Sequence, residues 1–208
     1  MSNNETGVGM STSTTAITNK KSDNKLGLHD VFYVECYSED GTLKWTDEVH
    51  NAITNEGIKY IMDTAFYGAT GANQFTENSD WYVGLAAASP TDPSYGDTAA
   101  GLPTLMGGTE YNQYSGSNRI LLNLGASGTP SGGTVTNDNS AAVAQFTITS
   151  PADDVGGCFI VAGTNAITKS SSVTGGCLYG AGAFTGGNKV VDTNDTLNVT
   201  VNLTAANA

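Results

Sequence analysis

Residues 49–86, VHNAITNEGIKYIMDTAFYGATGANQFTENSDWYVGLA, constrain the fold more than any other stretch, because only here do apolar residues recur at helical spacing beside a dense apolar strand. Ile58, Ile61, Met62, Ala65 and Phe66 fall at i, i+3, i+4, i+7 and i+8, one stripe of a 3.6-residue helix, while Lys59, Asp63 and Thr64 lie elsewhere. That stripe is expected to cover a sheet. Thr54 or Asn55 can cap the first turn, Glu56 suits the positive helix end, and Gly68 follows the last apolar residue as a stop. After a polar loop, Trp81, Val83 and Leu85 point to one side of an extended segment and Tyr82, Gly84 and Ala86 to the other. With both sides apolar or small, this strand belongs in the middle of a sheet.

The rest of the chain reads as strand and loop. Residues 1–28 are rich in Ser, Thr and Asn and nearly free of large apolar groups, so they cannot offset the entropy of ordering and are expected to form a flexible, extended N-terminal arm. Phe32, Val34 and Cys36 alternate with Tyr33, Glu35 and Tyr37; Gly41 allows a turn, and Leu43, Trp45 and Val49 continue on a return strand. Residues 87–116 carry Pro90, Pro93 and Pro103 without sustained alternation, which predicts a long surface excursion. The β pattern returns at residues 119–124, breaks at GASGTPSGG, and resumes with Ala144, Phe146 and Ile148. Residues 158–162 read as a buried strand and 173–184 as a glycine-rich one. Leu197, Val199, Val201 and Leu203 alternate with Asn198, Thr200, Asn202 and Thr204 in the clearest half-buried strand. Together these features predict a mainly β protein: an antiparallel β-sandwich of about seven or eight strands with one α-helix, spanning residues 29–208 as a single domain behind the arm. A chain of 208 residues buries roughly 70% of its unfolded surface and needs no staples.

Charge and cysteine usage narrow the functional classes. With 20 acidic and 8 basic residues, a formal net charge of −12 and one arginine, the chain lacks a phosphate-neutralising surface, so no nucleic-acid partner is expected. No run approaches the ~18 apolar residues of a membrane helix, and the N-terminus lacks the apolar core of a signal peptide; no membrane partner and synthesis in a cytosol are expected. Cys36, Cys158 and Cys177 have neither CxxC nor Cys/His spacing and read as small buried apolar residues.

No catalytic, cofactor-binding or metal-binding constellation emerges, and the chain is not expected to be an enzyme. His29 and His50 lie near no nucleophile or metal motif and read as surface or strand-edge histidines. Asp47/Glu48, Asp153/Asp154 and Asp192/Asp195 are acid pairs of the kind a glycosidase aims into one cleft, yet adjacent acids in β turns ordinarily face water. Residues 192–195, DTND, have the oxygen-rich look of half a calcium loop but lack the Gly and distal Glu that complete one. Asn4, Asn194, Asn198 and Asn202 begin N-x-Ser/Thr sequons, the last three read as polar residues on the outward face of the final strand. Arg119 suits a bidentate carboxylate pair within the fold or across a subunit contact, with the internal role favoured. Trp45, Trp81 and the nine tyrosines offer aromatic faces that serve either as sugar platforms or as core and interface anchors.

The order of features carries a resemblance. A hairpin, then VHNAITNEG opening a helix at residues 49–57, then WYVGL at 81–85, a Thr/Asp/Pro loop, and Tyr114 with Arg119, resembles virion structural proteins of tailed bacteriophages over residues 30–150. The resemblance implies a capsid decoration (cement) protein that binds the outer surface of the phage head and stabilises it. It implies the major capsid protein as partner, a homo-oligomer (trimer or dimer), and residence on the virion after synthesis in the bacterial host. Tail, neck or fibre components share the same style, and a receptor- or glycan-binding β module using residues 87–116 is a further alternative.

Overall fold

The computed structural model describes residues 25–67, 80–87, 91 and 93–207. The expected arm therefore lies outside the described residues except at its end, where Leu26–Leu28 already belong to the first strand. The described chain runs β1 (Leu26–Tyr37), β2 (Leu43–His50), β3 (Ala52–Ile53), α1 (Asn55–Met62) continued by a π-helical turn (Asp63–Tyr67), then β4 (Trp81–Ala87). After a 3₁₀ turn (Ala99–Gly101) come β5 (Thr104–Leu105), β6 (Gly108–Tyr111), β7 (Ile120–Leu121), β8 (Thr134–Asp138) and β9 (Ala144–Thr147). The last part holds β10 (Asp153–Thr164), β11 (Thr174–Ala183), β12 (Lys189–Val191) and β13 (Thr196–Asn207). No helix among the described residues is long and apolar enough to cross a membrane.

The strands form two antiparallel sheets packed as a sandwich. One has the order β2-β1-β13-β8, with β9 pairing the other end of β13; the second has the order β3-β11-β10-β4-β6-β5, with β12 on β10 and β7 on β4. β1 and β13 pair along twelve residues, so that Phe32, Val34 and Cys36 oppose Val201, Val199 and Leu197. All six are buried and face Val83, Leu85, Cys158 and Ile160 of the second sheet. The alternation read in both strands is thus the inner face of the sandwich.

β4 is central, as its two apolar sides require. Val83 and Leu85 join the core between the sheets, whereas Ala86 and Tyr82 pack with Phe159, Val161, Leu178 and Ala181 on the other side of the same sheet. Gly84 is needed there, because a Cβ would run into the Phe159 ring. The cover for that second side is the excursion after β4, which is a correction: Ala99, Leu102, Leu105 and Met106 are buried in it rather than exposed on a surface loop. These residues carry no period because they pack from turns and two-residue strands. Many short pieces of this kind raise the number of strand segments among the described residues to thirteen, and β8 within a Gly/Thr/Asn-rich stretch was not anticipated.

The helix forms where expected but is rolled differently. Thr54 caps it, accepting a bond from the Gly57 amide at 3.1 Å. Ile58, Met62 and Phe66 are nevertheless 47%, 54% and 77% exposed. Polar anchoring sets the roll. The Thr54 hydroxyl donates to the Leu178 carbonyl, the Thr54 amide donates to the Tyr179 carbonyl at 3.0 Å, and the Glu56 carboxylate accepts from the Leu178 and Ala99 amides at 2.9 and 2.8 Å. Gly57 is buried against the Tyr179 carbonyl, where any Cβ would collide. The face that meets the sandwich is therefore 57, 60, 61 and 64, with the Tyr60 ring edge-on to Trp81 at 4.9 Å. The larger apolar stripe points outward.

Candidate functional site

The inward stripe of β1 does not end on an apolar residue. Leu28, Asp30, Phe32, Val34 and Cys36 alternate along it, and Asp30 occupies the position where the sandwich opens at the helix end. It lines a cleft of about 410 Å³ together with His29, His50, Asn51, Ile53, Ile58 and Tyr95. Asp30 is only 3% exposed, and its Oδ2 has no hydrogen-bond partner. The Asn51 side-chain amide lies close enough to favour the Asp30 carboxylate but forms no well-aligned hydrogen bond, while the Asn51 backbone N–H donates to the Asp30 carbonyl at 3.2 Å. Burial pushes the Asp30 carboxyl up to about 7, with the neighbouring Asn51 side chain opposing that rise. Burial also pushes the Tyr179 phenol up, and the Asp30 charge adds to it, so the phenol borders this acid as well.

The two histidines, far from any motif in the sequence, meet at this cleft. His50 Nε2 lies 3.3 Å from Glu48 on the exposed side of β2. The acid pairs, in contrast, do not converge on one another. Asp47 and Glu48 point to opposite faces of β2, and Asp47 is buried against the Lys189 ammonium at 2.9 Å, where a water-facing turn was expected. Asp195 is also buried, correcting the same expectation: Lys44 Nζ sits 2.5 Å from it and 2.9 Å from Asp192, and the Asp192 amide donates to Asp195 Oδ2 at 2.7 Å. The Lys44 ammonium thus bridges the two carboxylates of this turn. Asp153 and Asp154 border a second cleft of about 400 Å³ with Glu110, whose charge is matched by Arg119. Among the described residues no group of three His, Cys, Asp or Glu side chains is placed to hold a metal ion.

Arg119 takes the internal role. Its Nε and Nη2 donate to the two Glu110 oxygens at 2.8 and 2.7 Å, and Nη1 and Nη2 donate to the Ala166 and Ser171 carbonyls at 2.8 and 3.1 Å. The pair has no exposed side-chain surface, so it fixes the 165–171 loop to the β6 region. Trp45 donates from Nε1 to the Val190 carbonyl at 3.0 Å, and Trp81 lies between Tyr60 and Tyr179; both are packed inward rather than presented as a sugar platform. Asn198 and Asn202 lie on β13, but Asn194 sits in the preceding turn with φ +68, correcting its placement on the strand. Asn4 lies outside the described residues. The three cysteines are buried and free, and burial pushes the Cys36 thiol up to about 12, which removes any thiolate chemistry near neutral pH.

Asp30 and Asn51 were the residues missed. The signal was present, because an acid interrupts an otherwise apolar inward alternation in LHDVFYVEC, but the period alone does not say that the position is buried.

Fold and cleft together define an acidic two-sheet β-sandwich with an amphipathic helix turned outward beside a polar-floored cleft. No family model, no curated protein and no solved structure matches this chain.

Proposed function

We propose that this chain is a structural component of a tailed-bacteriophage virion, a decoration protein that docks on the outer capsid surface and stabilises the head. The observation that carries the reading is the outward apolar stripe of the helix, Ile58, Met62 and Phe66, which continues to the exposed Leu26 at the rim of the cleft. A helix that leaves Ile58, Met62 and Phe66 in water while its other face packs on the sandwich presents a docking surface. The resemblance carried by residues 30–150 supplies the class of partner, the major capsid protein. Many copies, as a trimer or dimer, would add weak contacts into firm attachment, with residues 1–24 reaching a neighbouring copy. A tail, neck or fibre component would use the same surface, and imaging the assembled particle separates the two by where the copies lie.

The test is attachment to undecorated capsids. The triple variant Ile58→Asp, Met62→Asp, Phe66→Asp is expected to fold, since all three side chains face outward, and to lose most capsid binding. Deleting residues 1–24 is expected to leave the sandwich folded and to weaken attachment. Full attachment by the triple variant overturns the reading.

A further inference from the structure

Among the described residues the buried acids follow a rule that one of them breaks. Glu110 is paired with Arg119, Asp47 with Lys189 and Asp195 with Lys44. Lys44 and Lys189 keep about a quarter of their side-chain surface exposed, so each lays its aliphatic stem over the protein and delivers only the ammonium to a buried carboxylate. Asp30 is as buried as these acids, and no Lys or Arg among the described residues reaches it. Glu110 and Asp47 also border clefts but each already holds its cation, whereas Asp30 lines its cleft without one. A desolvated carboxyl without a cation is costly, and the group that removes the cost is a positive charge on an apolar stem. The cleft supplies walls for such a stem in Leu28, Ile53 and Ile58, and the net charge of −12 draws cations to the surface.

We propose that this cleft receives the side chain of a lysine from a partner protein, with the methylenes against Leu28, Ile53 and Ile58 and the ammonium on Asp30 and Asn51. The insertion completes the pattern that Lys44 and Lys189 set elsewhere in the same sandwich. It does not depend on the partner being a capsid. His29 and His50 line the same cleft from the exposed sides of β1 and β2, with Glu48 on His50, and the Tyr179 phenol from β11 borders Asp30 itself. As pH falls through about 7 Asp30 loses its charge, which disfavours a cation in the cleft.

The experiment follows the Asp30 carboxyl by carbon NMR in the full chain while Nα-acetyl-lysinamide is added, with its Nε-acetylated form as control. Saturable shifts at Asp30, Asn51 and Ala52 are expected with the amine only, with the Asp30 midpoint falling by a unit or more at saturation. Apparent affinity should be about tenfold tighter at pH 8 than at pH 6. Asp30→Asn should abolish the response, and Ile58→Lys should lower the Asp30 midpoint with no ligand added. The proposal is overturned by absence of saturable shifts, by an equal response to the acetylated control, or by an Asp30 midpoint that Ile58→Lys leaves unmoved. A midpoint that moves in the double variant Lys20→Gln, Lys21→Gln also overturns it, by making the chain's own N-terminal segment the occupant.

Discussion

The two ends of β1 solve the same problem in opposite ways. At one end Cys36 packs next to Asp195, its thiol 3.8 Å from Oδ2, and that carboxylate is closed off by Lys44 and the Asp192 amide. Six residues away, roughly 20 Å along the strand, Asp30 occupies the same inward face with no cation and an open cleft in front of it. The inward face of β1 and the residue type are shared, although Asp195 reaches that face from the turn before β13; what sets the two acids apart is the cation. Satisfied burial marks the end that holds the fold together, and unsatisfied burial marks the end available for binding.

Breaking a matched pair should have the largest effect. Arg119→Ala leaves Glu110 buried without its cation and is expected to cost about 3–5 kcal/mol in urea unfolding; a loss below about 1 kcal/mol would remove the distinction between the two kinds of acid. Asp30 should behave in the reverse sense. Because burial raises its folded-state midpoint to about 7, the folded protein keeps a proton that the unfolded chain releases near pH 4. Stability therefore falls as pH rises between about 4 and 7 and levels off above that range. Asp30→Asn is expected to stabilise the protein at pH 8 by about 2–4 kcal/mol and to change little near pH 4. Thermal unfolding of both proteins across this range checks the sign.

The helix sharpens the same contrast at smaller scale. Gly57→Ala places a methyl against the Tyr179 carbonyl and is expected to destabilise by about 1–3 kcal/mol, whereas Phe66→Ala, on the outward stripe, should stay within about 0.5 kcal/mol. A costly Phe66→Ala would show that the stripe is covered by the chain itself.

This pair of substitutions also explains what the sequence made legible. The hairpin, the central β4 and the alternation of β13 were readable because each presents one period to one core. Helix position was readable from Thr54 and the spacing of Ile58, Ile61 and Met62, but its roll was not. Three polar anchors, Thr54, Glu56 and the close approach at Gly57, outweigh the apolar stripe, and a period contains no information about hydrogen bonds to a distant strand. Residues 99–106 pack the outer core from turns, which have no period to detect. The cleft was legible only in fragments: His29 and His50 stood out singly, while Asp30 became significant once β1 and β2 were paired and Asn51 lay beside it.

The most direct test of the account is the titration of the Asp30 carboxyl in the free protein, read by carbon NMR from pH 3 to pH 9. A midpoint near 7, falling when a lysine side chain is supplied, is what an uncompensated acid at a receptive cleft must give. A midpoint near 4 in the free protein would show that Asp30 is already paired or solvated, and the contrast between the two ends of β1 would collapse.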